Sequence, residues 1–123
     1  IEGVHSKNLF FKDRKKNLHL IVTLSDKSIK IKEVAKKINA KDLSFGKPEL
    51  LAEVLGVIPG AVTPLAVINA ENHNINVVLD EEMMENELLN FHPLENTATT
   101  TISSKNLLKF LEYCKQSFDI VRL

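Results

Sequence analysis

Seven residues, Leu18–Leu24 (LHLIVTL), constrain the fold more than any other stretch. The run alternates at its start and is continuously apolar from Leu20 to Val22, the pattern of a strand covered on both faces. A chain carrying it needs a sheet with layers packed above and below. Just ahead, Asn8–Lys12 (NLFFK) reads as a strand, and Asp13-Arg14-Lys15-Lys16-Asn17 between the two is a cluster of turn formers. Together they predict a hairpin whose second strand is central. The 123 residues are 44% hydrophobic, enough for one domain, 1–123, around one buried core.

Helical spacing follows. Ile31, Val34, Ala35 and Ile38 fall on one helical face with lysines opposite. Leu43-Ser44-Phe45 reads as a short extended piece. Pro48 suits the first turn of a second helix, with Glu49 and Glu53 in its N-terminal half. Leu50 or Leu51, with Val54 and Leu55, form its buried face, and Gly56 is its stop. Residues 56–64 (GVIPGAVTP) form a punctuated loop. Leu65–Asn69 and Ile75–Leu79 read as two strands around a turn at 70–74. Asp80-Glu81-Glu82 opens a short helix. A strand near Leu88–Asn90, an irregular stretch at 92–96 and a Thr-rich strand at Thr97–Ile102 come next. Ser103 or Ser104 caps a last helix bearing Leu107, Leu108, Leu111 and Cys114, and Ile120-Val121 adds a final short strand. Strands that come singly and in hairpins between helices indicate a mixed α/β (α+β) class rather than a strict βαβ repeat.

Other features exclude function classes. No apolar stretch is long enough for a membrane span. No GxGxxG or GxxxxGK[ST] motif supports a dinucleotide or P-loop site. The lone Cys114 rules out an internal disulfide and any multi-cysteine zinc site, which fits a reducing, cytoplasmic compartment. His5, His19, His73 and His92 lack metal-ligand spacing, so neither metal nor cofactor is expected. Residues 1–41 hold 11 Lys/Arg and 4 Asp/Glu, and residues 42–123 hold 5 and 12. The zero net charge therefore hides a basic first third, which suits either a solvated lysine surface or a polyanion such as RNA. The chain opens without methionine or signal peptide, as expected of a piece from inside a longer protein.

Three segments can carry chemistry. His92 precedes Pro93 in the irregular stretch that contains Asn96, where a polar side chain can face a cleft. Gly56, Pro59 and Gly60 can hold a loop whose backbone N–H groups meet at one point, suited to a carbonyl oxygen or an oxyanion; the plainer reading is a helix stop and turn. Lys7, with Asn8 beside it, stands immediately before an apolar strand, where its charge can meet a carboxylate or a phosphate.

These segments, Lys7–Asp13 (KNLFFKD), 56–64 (GVIPGAVTP) and 92–99 (HPLENTAT), resemble in order and spacing the KNLFL(K/R)D, GxxPGxVTP and HPLxNTAT segments of the prolyl-tRNA synthetase-associated, YbaK-like (ProX) aminoacyl-tRNA editing domains. The similarity runs along essentially the whole chain. It implies a mixed, barrel-like β-sheet flanked by helices, and hydrolysis of the ester between proline tRNA and a wrong amino acid, mostly alanine. The partners implied are aminoacylated tRNA(Pro) and prolyl-tRNA synthetase, with no membrane and an unspecified oligomeric state. Lys7 matches the family's essential lysine and Gly60 the oxyanion loop, the two catalytic positions. Asn8, Gly56, Pro59 and His92 match substrate-binding positions. Phe11 replaces the commoner leucine, a core adjustment. The family normally has a further region before the Lys7 segment, so the N-terminal part of the domain is expected to be missing here. Two other readings stay open: a non-catalytic tRNA-binding or synthetase-docking module, and an editing domain appended to a full prolyl-tRNA synthetase.

Overall fold

The computed structural model describes residues 3–57, 62–70, 73–91 and 100–123. The expected hairpin is present. β1 (Val4–Lys12) and β2 (Leu18–Leu24) pair antiparallel from Ser6 opposite Leu24 to Lys12 opposite Leu18. β1 starts four residues earlier than Asn8, because Val4 and His5 pair in parallel with Leu89 and Asn90 of β5 (Leu88–Phe91). Lys7 therefore lies inside the strand, not before it. The two-residue β3 (Ser44–Phe45) pairs with the far end of β1 at Phe11 and Lys12. β4 (Ile75–Asp80) runs parallel to β2, and β7 (Ser117–Val121) parallel to β4. β6 (Thr100–Ser103) closes the other end against β5; positions 97–99 of the expected Thr-rich strand lie outside the described residues. The order β6-β5-β1-β2-β4-β7, with β3 beside β1, makes a mixed sheet curled into a half-barrel and flanked by helices, as expected.

Alternation sorts the strand residues into two layers. Phe10, Leu20, Val22, Val77 and Leu79 face a large core. It is completed by α2 (Pro48–Leu55) through Leu51, Val54 and Leu55, and by α4 (Ser104–Tyr113) through Leu107 and Leu111. Phe11, Ile21 and Val78 face a smaller core under Val34 of α1 (Ile31–Lys37). This explains the apolar run at Leu20–Val22: β2 is covered on both sides. α3 (Glu81–Met84) starts directly from β4, with Asp80 as its N-cap.

One element departs from the sequence reading. Residues 64–69 are a 3-10 helix, not a strand. The Thr63 hydroxyl accepts the Leu65 N–H at 3.3 Å, and Pro64 fixes the first helical φ. Those two local devices outweigh the strand-like composition of the apolar run. Among the described residues, no helix is long and apolar enough to cross a membrane.

Candidate functional site

Lys7 and Asn8 are neighbours in β1, so their side chains leave opposite faces of the sheet. Asn8 shares its face with Phe10 and the large core; Lys7 shares its face with Leu9 and Phe11. What they have in common is the strand edge. On the side away from β2, β1 pairs with β5 at Val4 and His5 and with β3 at Phe11 and Lys12. Over Ser6–Leu9 no strand among the described residues pairs with that edge. Among the described residues, that stretch of strand edge beside Lys7 and Asn8 is therefore without a ladder partner.

The Asn8 amide spans to the second motif. Its Nδ2 donates to the Val62 carbonyl at 2.9 Å, although 54 positions separate them. Its Oδ1 is buried with no hydrogen-bond partner among the described residues. A buried acceptor of that kind is uncommon and expensive, and it suits a donor such as an ammonium or hydroxyl group. Nearby, Ser6 Oγ donates to the Asn90 carbonyl at 2.9 Å and ties β1 to β5.

Gly56 ends α2 in the left-handed region at φ 67°, as its place in the sequence predicts. Asn69 on the 3-10 helix donates to the Leu55 carbonyl at 2.9 Å and secures that helix end. Val57 is buried and Val62 half-buried, so both ends of the loop are anchored. Pro59, Gly60 and His92 lie outside the described residues, so the convergence of the three motifs on one cleft stays an expectation.

Lys7 Nζ donates to the Lys27 carbonyl in the turn after β2. Among the described residues this uses one of the three donors of the ammonium. Behind it sits a polar network that the sequence did not announce. Asp80, fully buried, accepts from Thr23 Oγ1 at 2.6 Å and pairs with Lys27 Nζ at 2.8 Å; its other oxygen caps α3 through the Glu82 N–H at 3.1 Å. Lys27 also reaches Glu82 at 3.1 Å. Burial pushes the Asp80 carboxyl up, but bonds from Lys27, Thr23 and the Glu82 N–H outweigh it and hold it below the ordinary carboxylate range. Burial likewise pushes the Lys27 ammonium down, and Asp80 with Glu82 outweighs that and raises it. The sequence reading placed Asp80 only at the opening of a short helix; its capping oxygen and the role of the other one come from the structure.

A second polar cluster lies at the hairpin end of the sheet. His19 Nε2 meets Asp13 Oδ2 at 3.0 Å, and Asn76 Nδ2 meets His19 Nδ1 at 3.3 Å. Asp13 also accepts the backbone N–H groups of Lys15 and Asn17, each at 2.9 Å. This is the architecture of a turn, with His19 buried in it. A cavity of about 240 Å³ beside it is lined by Arg14, Lys15 and Lys41, and Lys15 and Lys16 are exposed. Cys114 is half-buried at the end of α4, and burial pushes its thiol up, so it is a poor nucleophile. Among the described residues no group of three or more His, Cys, Asp or Glu side chains could hold a metal ion.

Comparison with known proteins follows the same lines. The family model of the aminoacyl-tRNA editing domain matches residues 2–110. The prolyl-tRNA synthetase associated domain-containing protein 1 of Danio rerio is 35% identical over 114 residues, covering 91% of this chain and 62% of that protein. The prolyl-tRNA editing protein ProX of Acetoanaerobium sticklandii is 33% identical over 118 residues, covering 95% of this chain and 72% of that protein. The chain thus spans under two thirds of the fish relative's length. A crystal structure assigned to a trans-editing enzyme for prolyl tRNA synthetase superposes with a TM-score of 0.75 at 18% identity, over 97% of this chain and 70% of the other. At that identity the likeness speaks for the fold.

Proposed function

We propose, because this chain belongs to the aminoacyl-tRNA editing domain family, that it is an aminoacyl-tRNA deacylase acting in the cytoplasm on mischarged tRNA(Pro), with alanine as the amino acid removed. The observation that carries the reading is the Asn8–Val62 hydrogen bond. It joins the Lys7-Asn8 segment to the Gly56–Pro64 loop, beside the strand edge at Ser6–Leu9 that no described strand pairs.

The chemistry needs little machinery. A synthetase pocket shaped for proline rejects the smaller alanine weakly, since a missing methylene is worth only about 1–3 kcal/mol. A second, smaller site then corrects the error. An aminoacyl ester is already activated, so a positioned water suffices and no covalent nucleophile is required. Lys7 supplies positive charge near the ester; an ordinary lysine, with pKa about 10.4, is a poor general base at neutral pH. The Gly60 loop supplies N–H donors for the oxyanion, and a hydroxyl of the terminal adenosine orients the water. Asn8, Gly56, Pro59 and His92 shape the pocket. The buried Asn8 Oδ1 is an acceptor suited to the α-ammonium of the aminoacyl group. The basic turn at Arg14–Lys16 meets tRNA phosphates.

Single-turnover deacylation of alanyl-, cysteinyl- and prolyl-tRNA(Pro) tests the reading. Alanyl-tRNA(Pro) is expected to be cleared and prolyl-tRNA(Pro) spared. Tight tRNA binding without ester loss would point instead to a non-catalytic docking module. Clearance of cysteinyl-tRNA(Pro) alone would keep the reaction and change the substrate.

A further inference from the structure

Four residues close a ring behind the Lys7 ammonium. Lys7 Nζ donates to the Lys27 carbonyl. Lys27 is held in its turn by its own N–H, bonded to the Leu24 carbonyl at 3.1 Å. Its side chain pairs with Asp80 at 2.8 Å. Asp80 in turn accepts from Thr23 at 2.6 Å, and Thr23 is the residue directly across the ladder from Lys7. The circuit runs through β1, β2, β4 and the turn after β2, and returns to the neighbour of the residue it started from.

The parts have separable jobs. The oxygen that Lys7 uses is a main-chain carbonyl, which any residue at position 27 would offer. The Lys27 side chain contributes an anchor for that turn. Asp80 is a suitable post because it is fully buried and itself fixed by Thr23 and the first turn of α3. A free lysine side chain has several rotatable bonds, and immobilising it is entropically costly. A pre-placed acceptor lowers the part of that cost which falls on the reaction step.

We propose that Asp80 and Lys27 are positioning residues whose ion pair holds the turn that orients the Lys7 ammonium, neither of them touching substrate. The proposal rests on the reading of Lys7 as the charge-stabilising residue of a deacylase.

The test compares four forms of the protein: wild type, Lys7→Ala, Lys27→Arg and the double variant Lys27→Met/Asp80→Asn. The double variant removes the ion pair without stranding a buried charge and keeps the carbonyl of residue 27. The first readout needs no tRNA. It is the rate of acetylation of Lys7 by acetic anhydride relative to exposed Lys32, read by mass spectrometry. The second is single-turnover deacylation of alanyl-tRNA(Pro), which separates the saturating rate from the half-saturating concentration.

In the double variant, Lys7 labelling should rise about fivefold, the factor that corresponds to one lost hydrogen bond. The saturating rate should fall about tenfold, less than the hundredfold that a 1 Å misplacement can cost, with half-saturation unmoved. Lys27→Arg, which keeps the pair, should stay near wild type in both. Unchanged Lys7 labelling in the double variant overturns the proposal. Raised labelling with an unchanged rate also overturns it, because Lys7 then works without being held. A Lys7→Ala protein that deacylates normally removes the functional reading itself, and that arm alone reveals it. If the double variant melts early, Thr23→Val, which removes only one bond to Asp80, takes its place with the same two readouts.

Discussion

Gly56 shows how little room a single position can have. Its φ of 67° favours glycine, and a Cβ there would come within 3.3 Å of Asn69 Nδ2, the group that secures the Leu55 carbonyl. Gly56→Ala should therefore cost about 1 kcal/mol, read as a lower urea midpoint with an unchanged slope. Lys7 is the opposite kind of residue, valued for charge. Lys7→Ala should lower alanyl-tRNA(Pro) deacylation by roughly 100- to 1,000-fold, by analogy with lost oxyanion donors. Because Lys7 sits inside β1 and donates to Lys27, the substitution should also lower stability, by about 0.5–1.5 kcal/mol. That is too little to unfold the protein, so a melt run alongside separates the two effects. Lys7→Arg should rescue poorly, since a planar guanidinium fills a different shape from an ammonium.

At the scale of elements, two buried carboxylates brace the ends of the sheet. Asp13 is pushed up by burial but held below the ordinary range by His19 and Asn17, and Asp80 is held down in the same way. A carboxyl whose pKa is lower folded than unfolded stabilises the fold above its unfolded value, about 3.9, and that gain disappears as pH falls through the folded value. Thermal melts should therefore drop steeply below about pH 4. Asp13→Asn should melt lower at neutral pH and decline less in acid. Lys27 has the reverse sign: its contribution is complete below the unfolded lysine pKa and fades as pH rises through its raised value. The turn that Asp13 organises also presents Lys15 and Lys16 to solvent. Neutralising both should weaken tRNA binding and flatten its dependence on salt; an unchanged salt slope would assign the phosphate contacts elsewhere. Elements with their own local signals were legible in the sequence. The hairpin had its turn cluster, α2 its Pro48 and Gly56, and α3 the acidic opening Asp80-Glu81-Glu82. Residues 64–69 misled because a short apolar run has no decisive period; the usable signal was Thr63-Pro64, a cap followed by a helix-starting proline.

At the scale of the molecule, legibility falls with sequence separation. Nothing local states that β2 lies parallel to β4, or that Asn8 meets Val62 and Thr23 meets Asp80 across 54 and 57 positions. The motifs were visible as segments; the bond between two of them and the ring behind Lys7 were not. The layering makes a further expectation. Leu20–Val22 and Val77–Leu79 are buried in central strands, so their amides should exchange slowest, while those of the two-residue β3 exchange fastest. The strand order also has a consequence for synthesis. β1 and β2 can pair as soon as the hairpin has left the ribosome, because their partners are local. β2 then waits for β4, more than 50 residues later, and β1 waits for β5, 85 positions away. Among the described strands, β7 is the latest in sequence and lies at the sheet's rim. That order implies assembly outward from a hairpin left half-covered until β4 and β5 are made, a stage at which the lysines and arginine of its turn favour solubility.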